Sequence, residues 1–389
     1  MDIWSTILIS SLKTLPYGKL FITLPNGKSY NFSGYKKGPS AELRVNKNKS
    51  IKKIIQNGSI GFAEEFIAKN IVTKNLSNLI YYFALNNDFI EKKFLYSFSF
   101  KVINFFSHFL KKNSKLGAKN NIKKHYDIGN KFYQKWLDPS MTYSSAIFDK
   151  DNTDLFNAQK NKYNKILNLA EIKNGDTVLE IGCGWGGLLE HASKNYNCKV
   201  TGTTISEAQF EYVRKKLNKL NTNNVSVINQ DYRDLKGKFD KIVSIEMFEA
   251  VGEKYWDVYF KKIRHLIKKN GIISMQLITI KDEAFKNYKK NPDFIQKHIF
   301  PGGMLPSLKV LEKIIVKNSL TIEKVNSYAD DYSQTLKIWR KNFINSFDKL
   351  QKTGFDDKFF RLWNFYLAYC EGGFRSKHID LKQLKILAN

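Results

Sequence analysis

The chain has 389 residues, 42% of them hydrophobic, and carries 64 Lys+Arg against 36 Asp+Glu for a net charge of +28. That length suits one large catalytic domain and a smaller partner, and the lysine excess implies attraction to a polyanion, nucleic acid or an anionic membrane, unless the accompanying Asn and Ile mark only an A/T-biased genome. Cys183, Cys198 and Cys370 form no metal-ligand spacing and imply no disulfide framework, and no stretch reaches the roughly 20 apolar residues of a membrane span.

Met1 to Ser11 lacks a basic lead-in, so no signal peptide is expected. Residues 1–90 read as a small α+β domain for substrate positioning or an interface. A hairpin over Gly18–Tyr35 turns at Pro25-Asn26-Gly27, and Ala41–Val45 is a further strand. Ser50–Asn57 and Phe62–Lys69 read as short helices around Asn57-Gly58-Ser59, and Leu76–Leu85 as an apolar one. Residues 91–120 mix lysines with phenylalanines. They predict an amphipathic helix over 94–110 and a basic, flexible connector, either lying in a membrane interface or packing as a core helix between domains.

Residues 121–389 read as the catalytic domain. Its first stretch is dense in polar and ring side chains: His125, Tyr126, Asp127, Asn130, Tyr133, Trp136, Tyr143, Ser144 and Ser145. Such a loop closes over a cofactor and keeps water out, or is structural. After a helix over Leu155–Ala170, the apolar run Val178–Ile181 enters Gly182, Gly184, Gly186 and Gly187, and a helix follows. Strand, glycine turn and helix bring backbone close to a ligand. The spacing also satisfies a dinucleotide fingerprint. However, Glu180 precedes the turn, and no acid follows before Glu207 to hold the ribose of NAD. A carboxylate there suits a cationic, hydroxyl-bearing ligand without phosphate, which points to S-adenosylmethionine (SAM).

Strands at Lys199–Thr203, Val225–Asn229, Phe239–Ile245 and Gly271–Ile280 alternate with helices. This predicts a parallel sheet with ligands at the carboxyl ends of its strands. Asp231 follows the third strand, where an adenine amino group is read. Glu249 lies just beyond the fourth, as a site acid or a helix cap. Gln276 sits inside the apolar fifth strand and must find partners, in the core or in the site.

The chain resembles the cyclopropane-fatty-acyl-phospholipid synthase family, which includes the mycolic acid cyclopropane synthases, over roughly residues 120–385. The residues that carry the likeness are His-Tyr-Asp-Ile-Gly-Asn at 125–130, Met-Thr-Tyr-Ser at 141–144, the 178–187 turn, Gly-Thr-Thr-Ile-Ser at 202–206, Gln-Asp-Tyr-Arg-Asp at 230–234, Met-Phe-Glu at 247–249, Ile-Phe-Pro-Gly-Gly-Met-Leu-Pro-Ser at 299–307 and Tyr-Ser-Gln-Thr-Leu at 332–336. The resemblance implies an α/β fold, a Rossmann-like class I SAM-dependent methyltransferase domain with a smaller α+β amino-terminal domain. It implies a SAM site lined by Tyr143, Ser144, Glu180, Gly182, Gly184, Gly186, Thr203, Thr204, Gln209, Asp231 and Tyr232. Glu249 and Tyr332 fall on family residues that hold a bicarbonate ion, the base in cyclopropanation.

The resemblance departs in the same place. Ser145 stands where many members have Cys, Ala250 where His is common, and Gln276 where a bicarbonate-holding His is found, while Ile278 keeps its family identity. Together with Phe294–Ser307, these changes look closer to a branch that methylates acyl chains. The expected substrate is an unsaturated acyl chain of a membrane phospholipid. The chain is expected in the cytoplasm, peripherally bound to the anionic inner face of the cell membrane, with homodimerisation left open. The rivals are a nucleic-acid methyltransferase, a small-molecule N- or O-methyltransferase and an inactive lipid-binding protein. Nucleic acid is not the expected partner, since no zinc spacing or reading module is present and Met247-Phe248-Glu249 is not an amino-methylating motif.

Overall fold

Alternating burial over Tyr17–Thr23 (β1), with Leu20 and Ile22 wholly inside, makes one face of the amino-terminal hairpin a core face. The computed structural model, which describes residues 2–95, 128–149, 154–220 and 222–388, pairs β1 antiparallel with Ser29–Ser33 (β2) around Asn26-Gly27. Lys36–Val45 (β3) joins β1 in parallel, and Ile71–Val72 (β4) completes a sheet of order β2-β1-β3-β4. Helices Ile3–Leu12 (α1), Asn48–Ile67 (α2), Leu76–Leu85 (α3) and Asn87–Leu95 (α4) accompany it. The two helices expected around Gly58 are present: the span of α2 is broken at that glycine, whose φ +53° and ψ −131° are not helical. The expected helix over 94–110 lies outside the described residues from 96 onward.

The chain divides into two compact units that are not consecutive in sequence, unlike the segments 1–90, 91–120 and 121–389 expected above. The first draws on Met1–Leu110, Asn287–Ile299 and Leu336–His378. Within it the helix Asp357–Arg375 packs on α3, and the buried Glu371 accepts a hydrogen bond from Ser77.

The second unit comprises Lys111–Lys286, Phe300–Thr335 and Ile379–Asn389. Its seven strands are Thr177–Ile181 (β5), Lys199–Thr204 (β6), Val225–Asn229 (β7), Phe239–Ile245 (β8), Ile267–Ile280 (β9), Leu320–Ser327 (β10) and Ile379–Ala388 (β11), in the order β10-β11-β9-β8-β5-β6-β7. The neighbours from β9 to β7 run parallel, as the β-α alternation predicts. The last strand departs from that expectation: β11 lies antiparallel between β9 and β10. This is the Rossmann-like α/β arrangement of class I SAM-dependent methyltransferases. Helices Asn130–Tyr133 (α5), Leu155–Leu169 (α6), Gly187–Asn195 (α7), Glu207–Leu220 (α8) and Trp256–Leu266 (α9) follow in chain order. Val178, Leu188, Leu189, Val200, Val213 and Ile166 share one core, which fixes the ends of β5 and β6 where the glycine turn emerges.

Candidate functional site

Strand β5 ends in a turn that only glycine adopts without strain. Gly182 has φ +85° and Gly184 φ +52°. A Cβ at Gly182 would lie 2.6 Å from Met247 Cγ, whereas at Gly184 it would meet nothing within 4 Å among the described residues. The turn is closed against β8 on one side and open on the other. Thr203 anchors it, its carbonyl accepting from the Gly182 and Cys183 N–H groups at 3.1 and 2.8 Å. Gly186 caps α7.

The other residues expected around SAM gather at the same ends of β5, β6 and β7. Glu180 is 3% exposed, and its Oε2 has no hydrogen-bond partner. Burial pushes its carboxyl up to about 8 against the opposing charge of Lys162. Thr204 donates to Gln209 Oε1 at 2.8 Å. Asp231 accepts from the Arg233 backbone N–H at 2.9 Å and from its guanidinium at 2.8 and 2.6 Å. Tyr232 packs edge-on against Tyr259, their ring centroids 5.2 Å apart. Before β5, the Tyr143 ring lies 5.2 Å from Tyr133, and the Ser144 hydroxyl accepts from Lys162 Nζ at 2.8 Å. His125, Tyr126 and Asp127 lie outside the described residues.

Three of the residues expected to be catalytic, Tyr332, Gln276 and Ser145, meet at a group the expectation did not include, Glu246. That residue follows β8 with φ +48°, a left-handed conformation rare for a side-chain-bearing residue and found where surroundings over-determine it. Its carboxylate accepts from Tyr332 Oη at 2.5 Å, Gln276 Nε2 at 2.8 Å and the Ser145 backbone N–H at 2.8 Å. Two of the groups expected around a bicarbonate ion, Tyr332 and the residue at 276, thus hold a side-chain carboxylate. Glu249, expected around the same ion, does not share in those bonds. Ser145 contributes its backbone, while its hydroxyl donates to the Ala146 carbonyl at 2.9 Å. Gln276 also donates to the Ser145 carbonyl at 3.3 Å and accepts from Gln383 Nε2 at 2.9 Å, so both of its readings hold: core hydrogen-bonder and member of the cluster.

Glu249 sits one turn on and accepts from the Ile278 N–H at 2.6 Å, while its Oε2 is buried without a partner. Burial and the neighbouring Glu246 push its carboxyl up to about 8. Burial raises Glu246 as well, but three donors and Lys162 oppose that. Glu246 has more hydrogen-bond donors than Glu249 and the charge of Lys162 beside it, so of the two buried acids it is the one whose ionised form is better supported. The cluster can therefore stabilise a nearby cation and accept a proton.

Sequence reasoning passed over Glu246 and Lys162. The unexplained amide of Gln276 was the signal for the first. Helical spacing was the signal for the second, since Lys162 falls on the buried stripe of Leu155, Ala158, Gln159 and Ile166.

Comparison with known proteins places these features in context. The family model described as mycolic acid cyclopropane synthetase matches residues 113–384. The chain is 33% identical over 345 residues to the tuberculostearic acid methyltransferase of Mycobacterium tuberculosis, an alignment covering 86% of this chain and 80% of that one. It is 32% identical over 345 residues to the cyclopropane-fatty-acyl-phospholipid synthase of Escherichia coli, covering 88% and 87%. Among solved structures, the mycolic acid cyclopropane synthase CmaA1 complexed with SAH and CTAB superposes with a TM-score of 0.64 at 28% identity, covering 69% of this chain and 98% of that one.

Proposed function

The chain belongs to the mycolic acid cyclopropane synthetase family of SAM-dependent methyltransferases acting on fatty acyl chains, and from that premise we propose that it methylates the double bond of an unsaturated acyl chain in a membrane phospholipid to give a methylene-branched product. The observation that carries this reading is the Glu246 carboxylate, held by Tyr332, Gln276 and the Ser145 N–H. It gives the chain its own anion and proton acceptor.

When bound, SAM supplies an electrophilic methyl group. The groups that would hold it are the open glycine turn at Gly182 and Gly184, the unpartnered Oε2 of Glu180 for a hydroxyl or cation, and Tyr143, Ser144, Thr204, Gln209, Asp231 and Tyr232 around them. Transfer of that methyl to the substrate's double bond, with S-adenosylhomocysteine as the leaving group, would place a positive charge on the adjacent carbon. Glu246 stabilises that charge in a site from which water is excluded. A hydride shift from the methylated carbon moves the cation onto it. Loss of a methyl proton to Glu246 then leaves a methylene branch on the chain. Because Glu246 is tethered, its reach is set by the backbone rather than by diffusion of an ion.

Cyclopropane formation is the second reading, favoured by the 88% coverage of the chain in the match to the Escherichia coli synthase. Proton loss before any hydride shift closes the ring. Labelled SAM and defined unsaturated phospholipids, followed by proton NMR of the purified lipid, separate the two products, which are isomers of equal mass. Vinylic methylene signals are expected. Upfield cyclopropane resonances in their place would establish the second reading, and no labelled lipid would remove both.

The substrate's setting implies peripheral binding to an anionic membrane. The net charge of +28 supports it, as do the exposed apolar side chains Ile3 and Ile7 on α1, and Phe21 and Tyr35 beside Lys36. No helix among the described residues is long and apolar enough to cross a membrane. The chain is expected to sediment with anionic vesicles at low salt and to be released at high salt. Equal, salt-insensitive binding to neutral vesicles would remove the electrostatic contribution.

A further inference from the structure

Helix α6 turns three polar side chains inward at positions 159, 162 and 163, which share one helical face. All three grip the segment 142–144. Gln159 Nε2 donates to the Ser144 carbonyl at 2.9 Å, Lys162 Nζ donates to the Ser144 hydroxyl at 2.8 Å, and Tyr163 Oη lies 2.5 Å from Thr142 Oγ1. Gln159 and Lys162 are each 0% exposed. Among the described residues Lys162 makes no ion pair closer than 4 Å, so its hydrogen-bond partner is a neutral hydroxyl.

A buried lysine in that position costs free energy that a methionine of similar volume would not. What surrounds it gives the cost a use. The charges it feels are carboxylates from three separate places: Glu246 after β8, Asp138 in the loop after α5, and Glu180 on β5. Asp138 Oδ1 and Glu180 Oε2 are themselves buried without hydrogen-bond partners. The ammonium is thus the central positive charge of a buried acidic cluster that spans the glycine turn and the Glu246 carboxylate. Its hydrogen bond also occupies a lone pair of Ser144, which leaves the serine's own proton to point elsewhere.

We propose that Lys162 is a positioning residue for the reaction: it orients the Ser144 hydroxyl toward the bound SAM, and its charge holds Glu246 in the ionised state that accepts the proton. The second half rests on the reading of Glu246 given above; the first half does not. Burial draws the lysine down to about 7, so its charge is present below neutrality, where Glu246 most needs support against protonation. Among the described residues, the groups facing Glu246 are Lys162, Tyr332, Gln276, the Ser145 N–H and Glu249, and of these only the lysine is a cation. Removing it raises the proton affinity of Glu246, and the acid limb of the turnover profile moves to higher pH.

The test compares Lys162→Met, Lys162→Gln and Lys162→Arg in the full chain. SAM affinity is measured by calorimetry, and turnover of unsaturated phospholipid is followed across pH. Lys162→Met is expected to weaken SAM binding about 10-fold and to move the acid limb alkaline. Lys162→Gln keeps a donor for Ser144, so it should retain most SAM affinity yet show the moved limb. Lys162→Arg should return the limb toward its original position. A folded Lys162→Met with unchanged affinity and an unmoved limb would overturn the proposal; if that variant does not fold, an unmoved limb in Lys162→Gln does the same. If the wild-type chain turns over no acyl lipid, the functional reading fails, and SAM affinity alone still decides the role at Ser144.

Discussion

Glu246→Gln should lower turnover by about 10²- to 10⁴-fold, the range expected when a positioned proton acceptor is lost, while SAM affinity stays within about 3-fold. The substitution is nearly isosteric. The retained oxygen can still accept from Gln276 and the Ser145 N–H, and the new amide can donate to Tyr332, whose hydroxyl also accepts. What disappears is the charge and the capacity to take a proton. Glu246→Gly makes the same point by rescue. It relieves the left-handed backbone at φ +48° and leaves three donors facing a space the size of a carboxylate. Added bicarbonate or formate is expected to restore part of the activity. Glutamine within 3-fold of wild type, together with a glycine variant deaf to added anions, would show that Glu246 is not the acceptor.

Gly184→Val should weaken SAM binding by roughly 10- to 100-fold, by forcing branched atoms into the space a ligand needs. Among the described residues nothing lies within 4 Å of the new Cβ, so they offer no clash to account for such a loss. Backbone strain at φ +52° is the competing cause, because β-branched residues resist that region. Gly184→Ala separates the two, since it carries the strain with little of the bulk. Calorimetry on folded variants decides: alanine close to wild type and valine far from it locates the effect in the ligand space. Unchanged affinity in a folded valine variant would remove the turn from the site.

The glycine turn could be read from sequence because its signal is local. A strand, four glycines and a helix lie within a dozen residues, and the backbone conformations they permit are intrinsic to glycine. The helix α3 and the strands β5 to β8 were equally accessible, through contiguous periodicity. The acid cluster was not. Its members come from positions 145, 246, 276 and 332, and three of its bonds depend on the left-handed turn at Glu246. Nothing in a linear spacing says which of two nearby acids Tyr332 will reach. Family resemblance singled out Glu249, which accepts from the Ile278 N–H, and said nothing of Glu246. The antiparallel β11 was missed for a related reason: its run, Ile379–Ala388, follows a long helical stretch and pairs with partners far back in the chain. Lys162 was hidden by its type, because a lysine in a lysine-rich helix reads as solvent-facing even when its position is on the inner stripe.

The place of β11 gives the site an order in time. It is synthesised after the other six strands of its sheet, yet it lies inside that sheet, between β9 and β10, and its Gln383 holds the Gln276 that in turn holds Glu246. A nascent chain without residues 379–388 has β5 to β8, and with them the glycine turn, but β9 is an unprotected edge and β10 has no neighbour. Domains take shape from the amino end during translation. The glycine turn can therefore take shape first, and the Glu246 side chain is held in place only once β11 slides home between β9 and β10.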